Sequence, residues 1–204
     1  NWEIYSNPEL SQKGPHRAGN FKEAFRHKMV FVYGTKGTKE ENEWNFAKAR
    51  YDAETFGYRG NGSIEIIPDS QFNLIKYADR GVIIYGNSDN NKAWKLLLNQ
   101  SPVQVFKGKV IIGNKTLEGD DLGCYFIQPR PDSDIASVGV VTATGIDGIK
   151  AGHANQYFIS GTAFPDLTVF REGIIDQEYN GVECTGFFGN DWSVENGEFV
   201  WKNK

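Results

Sequence analysis

An apolar run, a glycine-containing loop and a capped helix follow one another near the start of this chain, and this unit limits the folds that the chain can adopt. Residues 29–33 are β-branched, aromatic or otherwise apolar, which is typical of a strand covered on both faces of a parallel sheet. Gly34-Thr-Lys-Gly37 follows, and Thr38 precedes Glu41 at the spacing of a helix capping box. The unit predicts a strand, a tight turn and a helix that packs on the sheet.

Two further apolar runs, residues 81–85 and 137–142, also lead into glycine-containing loops and helical patterns, and the second is expected to be followed by a helix from about residue 147 to 158. A helical segment is also expected near residues 71–78. Strands that alternate with helices favour a parallel sheet with right-handed crossovers. Residues 103–106 and 110–112 flank a Lys-Gly-Lys turn, a pattern typical of a hairpin. The sequence therefore predicts an α/β fold, a three-layer, mainly parallel, flavodoxin-like sheet with an inserted antiparallel hairpin.

The length of 204 residues fits one domain, and 39% hydrophobic residues are enough for a core. We expect a single α/β domain over residues 1–204, with an irregular lead-in at 1–26 and a β-rich tail at 171–204. The first residue is not methionine, which suggests a piece of a longer polypeptide.

The helix predicted after Thr38 has a wide apolar stripe. A helix of this kind is expected to bury its apolar face against a sheet. Its members occupy neighbouring rows of the helix: Trp44, Ala47 and Tyr51, with Phe46, Ala49, Ala53 and Phe56 beside them.

Charge and composition exclude several classes of partner. The net charge of −4, without any run of lysine or arginine, argues against nucleic acid. No apolar stretch reaches the roughly 18 residues of a membrane-spanning helix. Cys124 and Cys184 fit either one disulfide or two separate buried thiols, and no metal site or cofactor is predicted.

Ligands bind doubly wound sheets at the carboxyl ends of the strands, where the strand order reverses. The loops expected there supply our candidate ligand-binding residues, together with one nearby histidine: Gly34, Thr35, Lys36, Gly37, Asn87, Ser88, Thr142, Thr144 and His153. The loop at Gly34 is similar to the phosphate loop of flavodoxins, since glycines and helix N-termini favour anions. A tight turn followed by a capping box explains the same residues.

Catalytic motifs are weak in this chain. No GxSxG nucleophile elbow is present. His153 is a candidate base with Asp147 or Asp166 as its partner, although a lone histidine near a helix also fits a structural role. The carboxylate pairs Asp120-Asp121 and Asp132/Asp134 flank turn residues, which favours solvated loops.

Aromatic residues make up 14% of the chain and offer a surface for sugars. Trp44 and Trp94 fit packing positions on helices. Trp192 and Trp201 lie in the turn-rich tail and are therefore the better candidates for contact with carbohydrate.

Several short segments of residues 14–170 resemble one module of known proteins. They are Gly14-Pro15 through Ala24-Phe25, Met29–Gly34, Tyr58-Arg-Gly60, Val82–Asn91, Gly152-His153, Gly161-Thr162 and Phe164-Pro165. The module lies downstream of the catalytic domain in large secreted bacterial proteins of the prolyl-oligopeptidase-like α/β-hydrolase type.

The resemblance implies a non-catalytic C-terminal accessory module of an esterase or peptidase, which packs on the upstream catalytic domain or helps to position substrate. It also implies an extracytoplasmic location, periplasmic or secreted. The serine nucleophile would lie upstream, so the resemblance assigns no catalytic residue to this chain. The alternatives are a phosphate- or flavin-binding domain that uses the Gly34 loop, and a carbohydrate-contacting module.

Overall fold

The computed structural model describes residues 8–153, 157–159, 161 and 164–202. Their strands are β1 (Val30–Tyr33), β2 (Glu65–Pro68), β3 (Val82–Tyr85), β4 (Val103–Phe106), β5 (Lys109–Ile112), β6 (Lys115–Glu118), β7 (Leu122–Pro129), β8 (Ser137–Ala143), β9 (Leu167–Arg171), β10 (Val182–Phe187) and β11 (Glu198–Trp201). The α-helices are α1 (Lys39–Gly60), α2 (Ala93–Leu97), α3 (Ile146–Gly152) and α4 (Ile174–Gln177), and 3-10 turns cover Phe21–Phe25, Asp69–Gln71 and Glu178–Gly181.

The main sheet has eight strands in the order β11-β10-β9-β7-β8-β3-β1-β2. The four neighbouring strands β2, β1, β3 and β8 run parallel to one another. The pairs β8–β7, β7–β9, β9–β10 and β10–β11 are antiparallel. The prediction of a mainly parallel, flavodoxin-like sheet is therefore wrong. Residues 130–136 join β7 to β8 and are too few for a crossover helix, so the chain turns back as a hairpin.

A second, three-stranded antiparallel sheet has the order β4-β5-β6. Val105 pairs with Val110, so the two predicted hairpin segments lie side by side. Lys115–Glu118 adds a third strand that the sequence analysis missed, because its side chains are mostly polar and exposed.

The two faces of the main sheet are covered by different elements. Tyr125 faces the 3-10 turn at Phe21, with ring centroids 5.9 Å apart. Its neighbour Phe126 points to the opposite face, where its ring lies 5.9 Å from Trp94 of α2. The helices α1 and α3 contact each other and pack on the face of the main sheet that carries Tyr125. The small sheet contacts β7 and β8.

Helix α1 presents a different face to the sheet from the one that its apolar stripe predicts. The residues of α1 that are buried are Glu41, Asn45, Lys48, Ala49 and Asp52. Phe46 and Tyr51 are instead 43% and 50% exposed. The prediction that the whole apolar stripe is buried against the sheet is therefore wrong for Phe46 and Tyr51. Ala49 is buried, and Ala53 and Phe56 pack against the core. Polar partners from distant parts of the chain, among them Tyr85 and Tyr157, bind the buried face and explain the difference.

Other predicted segments are shorter than expected. The helix expected over residues 71–78 is absent from the described structure, where Asp69–Gln71 forms a 3-10 turn. The helix expected from residue 147 to 158 ends at Gly152, and residues 154–156 lie outside the described residues.

Cys124 and Cys184 are both buried and free. Cys124 on β7 and Cys184 on β10 both pair with Val169 of β9, which lies between these two strands. Strand β9 therefore separates the two thiols. Burial raises the pKa of Cys184 to about 12 and that of Cys124 well above its ordinary value. Of the two alternatives, two separate thiols are therefore confirmed. In the part of the chain that the structure describes, no helix has the length and apolar character to span a membrane.

Candidate functional site

The strand order reverses between β1 and β3, which is where a doubly wound sheet would bind a ligand. This crevice is filled by the chain itself. The Asn91 amide donates to the carbonyls of Val32 and Tyr85, both at 3.0 Å. The carbonyl of Asn90 accepts from the backbone of Lys36 at 3.0 Å. Two asparagines therefore occupy the place that the sequence analysis assigned to a ligand.

Most backbone N–H groups of the Gly34–Gly37 loop already donate to acceptors elsewhere in the chain. The N–H of Gly34 donates to Tyr85 (2.8 Å), and that of Gly37 donates to the Asn42 side chain (3.0 Å). The hydroxyl of Thr35 donates to Asp69 at 2.6 Å. The capping box between Thr38 and Glu41 is confirmed, with both hydrogen bonds present. These contacts leave few donors for a phosphate and favour the interpretation as a turn with a capped helix.

The polar candidates that follow β3 and β8 connect loops to one another. Asn87 donates to the carbonyl of Ala143 at 3.0 Å, which joins the ends of the two strands. The hydroxyl of Thr144 accepts from the first residue of β7 at 3.1 Å. The backbone N–H of Ser88 donates to β4 at 2.9 Å. Thr142 is buried, and its hydroxyl has no hydrogen-bond partner among the described residues.

His153 lies between two aromatic rings of α1. Its ring centroid is 5.1 Å from that of Trp44 and 5.8 Å from that of Tyr51. Burial lowers the pKa of His153, the charge of Lys48 lowers it further, and Asp52 opposes both effects.

The proposed carboxylate partners of His153 have other contacts. Asp147 pairs with Lys150 at 3.7 Å. Asp166 is fully buried and binds Lys13 at 2.6 Å. The structure therefore does not bring together the base and carboxylate that a hydrolytic centre would need.

Asp52 is the centre of a buried polar network that the sequence analysis missed. Its carboxylate binds the Lys48 ammonium at 2.8 Å, and the two side chains are only 2% and 6% exposed. Tyr85 donates to the same carboxylate at 3.0 Å, and Tyr157 also donates to it. Burial first, and then the charge of Asp52, raise the pKa of both tyrosines. The spacing of Lys48 and Asp52 was visible in the sequence, but the phenols come from distant segments.

Glu41 extends this polar row toward the small sheet. It accepts from Lys107 at 3.0 Å, so the β4–β5 turn is attached to α1. Burial raises the pKa of Glu41, but hydrogen bonds from Thr38 and Lys107 outweigh burial and leave this pKa below its ordinary value.

A cavity of about 20 Å³ lies beside this row, with Asn45, Lys48, Tyr85, Tyr125 and Gly152 among its lining residues. Asn45 is 4% exposed, and its amide nitrogen has no hydrogen-bond partner among the described residues. This volume is on the order of one water molecule. The site is chemically polar but too small to admit a substrate.

The remaining candidates are held in structural contacts. Asp121 pairs with Arg171 at 2.6 Å and Asp132 with Arg130 at 2.7 Å. Trp192 is only 3% exposed, so its prediction as a surface residue is wrong. Nowhere in the described ranges do three His, Cys, Asp or Glu side chains come together as a metal site requires.

Trp201, the other tail tryptophan, is partly exposed. The ammonium of Lys115 lies 3.9 Å from the centre of its ring. That face of the indole is therefore covered by a side chain of β6 rather than open to a sugar.

Comparison with models of protein families gives no match for this chain. A search of curated proteins also gives no match.

Proposed function

We propose that this chain is a non-catalytic module of a larger secreted hydrolase of the esterase or peptidase type. In this proposal it packs against the catalytic domain upstream in the same polypeptide. The observation that carries the proposal is the outward face of α1, which we define by Ala47, Tyr51 and Tyr58. Tyr51 and Tyr58 are 50% and 93% exposed.

A helix normally turns such residues inward, so an outward apolar face beside a buried polar row calls for a partner. Tyrosine suits this role because its ring gives contact area while its hydroxyl tolerates water. Arg50 and Glu54 form an exposed ion pair of 2.9 Å along the same helix. They would give the interface a polar rim.

The buried polar network around Asp52 supports the same role, because it attaches the inner face of α1 to the sheet. Lys48, Asp52 and Tyr85 hold the helix from its inner face, so its outward residues keep a defined arrangement. A rigid face loses little conformational entropy when it binds. Asn90 and Asn91 fill the crevice where a sheet of this kind would bind a substrate, which favours a non-catalytic role for this module.

The resemblance to hydrolase-associated modules is the second support for the proposal, and it is also the basis for the extracytoplasmic location. The first experiment is to read the gene upstream of Asn1 and to assay both proteins. We expect a GxSxG-containing domain there, turnover of ester or aminopeptide substrates by the full polypeptide, and none by this chain alone. Turnover by this chain would contradict the proposal.

A second experiment tests the docking face in the full polypeptide. Tyr58→Lys should lower its thermal unfolding temperature by several degrees, because it places a charge in an apolar interface. The same change in this chain alone should have little effect, since Tyr58 is 93% exposed. Ile75→Lys is the matched control, because Ile75 is 88% exposed but lies outside α1. Equal shifts of the unfolding temperature in the full polypeptide and in this chain alone would exclude α1 as the interface.

A further inference from the structure

Strand β11 is an outer strand of the main sheet, and among the described residues only β10 pairs with it. The backbone N–H of Lys202 donates to the carbonyl of Glu183, next to β10, at 3.0 Å. Successive residues of a strand direct their backbone groups to opposite sides, so Phe199 and Trp201 direct theirs away from β10. An outer strand with such unpaired groups is a template for a further strand.

A row of alternating charges crosses the sheet and ends at this edge. Asp121 pairs with Arg171 at 2.6 Å, and Arg171 pairs with Glu183 at 3.3 Å. Glu183 in turn pairs with Lys202 at 3.1 Å, and the Lys202 side chain is 40% exposed. The row therefore ends on a cation at the open edge. An acidic side chain on a strand added there would continue the alternation.

The same face of β11 carries exposed apolar surface. Val200 lies two residues before Lys202, on the same face of the strand, and is 72% exposed. Phe187 of β10, which pairs with Glu198, is 47% exposed. A strand added at the edge would cover part of this surface as well as the backbone groups.

The sequence of β11 is complementary to a second copy of itself. An antiparallel partner must place residues with outward backbone groups opposite each other, and Phe199 opposite Trp201 satisfies this for both copies. Each such pair exchanges both of its N–H···O bonds. The same register places Val200 against Val200 on the two-fold axis and Glu198 opposite Lys202. The acidic group that continues the charge row is thus supplied by the strand itself.

We propose that a second copy of this chain pairs antiparallel with β11, with Phe199 of each copy opposite Trp201 of the other. The two main sheets then form one continuous sheet, and Glu198 of one copy binds Lys202 of the other at both ends of the contact. The contact is short, so the dimer is a weak one. The edge at β11 is separate from the outward face of α1 and does not depend on the proposed docking role.

Sedimentation velocity of the whole chain over about a hundredfold range of concentration tests for the dimer. We expect the average mass to rise with concentration to that of a dimer and no further, because pairing about a two-fold axis is closed. A chain that stays monomeric throughout would overturn the proposal in favour of a strand from a different protein. Growth beyond a dimer would also contradict it.

Two charge reversals test the register. Glu198→Lys and Lys202→Glu each place like charges opposite each other at both ends of the contact, so each variant alone should dimerise about tenfold more weakly or worse. An equimolar mixture of the two should recover association, because opposite charges then face each other. Glu195→Lys is the control, since it makes the same charge change at an exposed residue outside β11. A mixture that fails to recover, or equal weakening in the control, would overturn the proposal.

Val200→Asp tests the axis without touching the charge row. It would place two carboxylates against each other at the centre of the contact, so the dimer should be lost. Val200 is 72% exposed, so the unfolding temperature of the monomer should change little. A dimer that persists in this variant would exclude β11 as the contact.

Discussion

Lys48 and Asp52 lie one turn apart on α1 and form an ion pair of 2.8 Å with side chains only 6% and 2% exposed. Exposed pairs at this spacing contribute little to stability, but breaking a buried pair leaves an uncompensated charge. The pair is also the point where Tyr85 and Tyr157 meet α1. It therefore holds the inner face of the helix that the proposed docking role requires.

Lys48→Met should destabilise the chain by about 3–5 kcal/mol, because Asp52 would stay buried without its cation. Arg50→Met is the matched control, since the Arg50–Glu54 pair is 65% and 64% exposed. The control should change stability by less than about 0.5 kcal/mol. Urea unfolding measures both. A similar small loss for the two variants would mean that the buried pair does not hold α1 in place.

Asn45→Leu should leave stability unchanged or raise it by about 1 kcal/mol. The Asn45 amide is buried without a partner among the described residues, so its removal relieves a defect, and leucine has the same number of side-chain heavy atoms with the same branching at Cγ. Thermal unfolding measures the effect, and Asn42→Leu is the control. Asn42 donates to the carbonyls of Thr35 and Gly37 (3.1 and 3.2 Å), so its loss should destabilise. A clear loss of stability in Asn45→Leu would show that its amide has a partner in solution.

The sequence predicted several elements of the fold well. The apolar runs at residues 29–33, 81–85 and 137–142 are strands, and the capping box starts α1 at the expected place. These features depend on local chemistry, which a single sequence contains. The reversal between β7 and β8 depends on the length of residues 130–136, which a parallel scheme could not accommodate.

The inner face of α1 was not predictable from its periodicity. A hydrophobic pattern assumes that apolar side chains turn inward, and this holds for Ala49. Lys48 and Asp52 are buried because phenols from β3 and from Tyr157 meet them, and those partners are far away in sequence. The Gly34 loop lies where the pattern placed it, but Asn91 fills the crevice beside it. Only the folded chain reveals that contact.

Gly34→Ala should destabilise the chain by about 1–3 kcal/mol, the range of overpacking in a tight site. A Cβ at Gly34 would lie 2.6 Å from the carbonyl oxygen of Asn90, which is backbone and cannot rotate away. Gly60→Ala is the control, because its Cβ would meet only the Phe56 ring at 3.4 Å. The control should be neutral or slightly stabilising, as Gly→Ala is at compatible helix positions. Chemical unfolding measures both, and equal effects would mean that the Asn90 loop can move.

His153 should make stability depend on pH in a defined window. Its pKa is lowered in the folded state, mainly by burial and then by Lys48, so the unfolded chain binds the proton more readily. Stability from neutral His153 is therefore complete above the unfolded value of about 6.5 and is lost as the pH falls from there to the folded pKa. His153→Gln should remove this contribution, so the stability difference between the two proteins should shrink or reverse below about pH 6.5. Urea unfolding from pH 8 to pH 5 measures it, and a difference that does not change with pH would show that His153 is not desolvated between Trp44 and Tyr51.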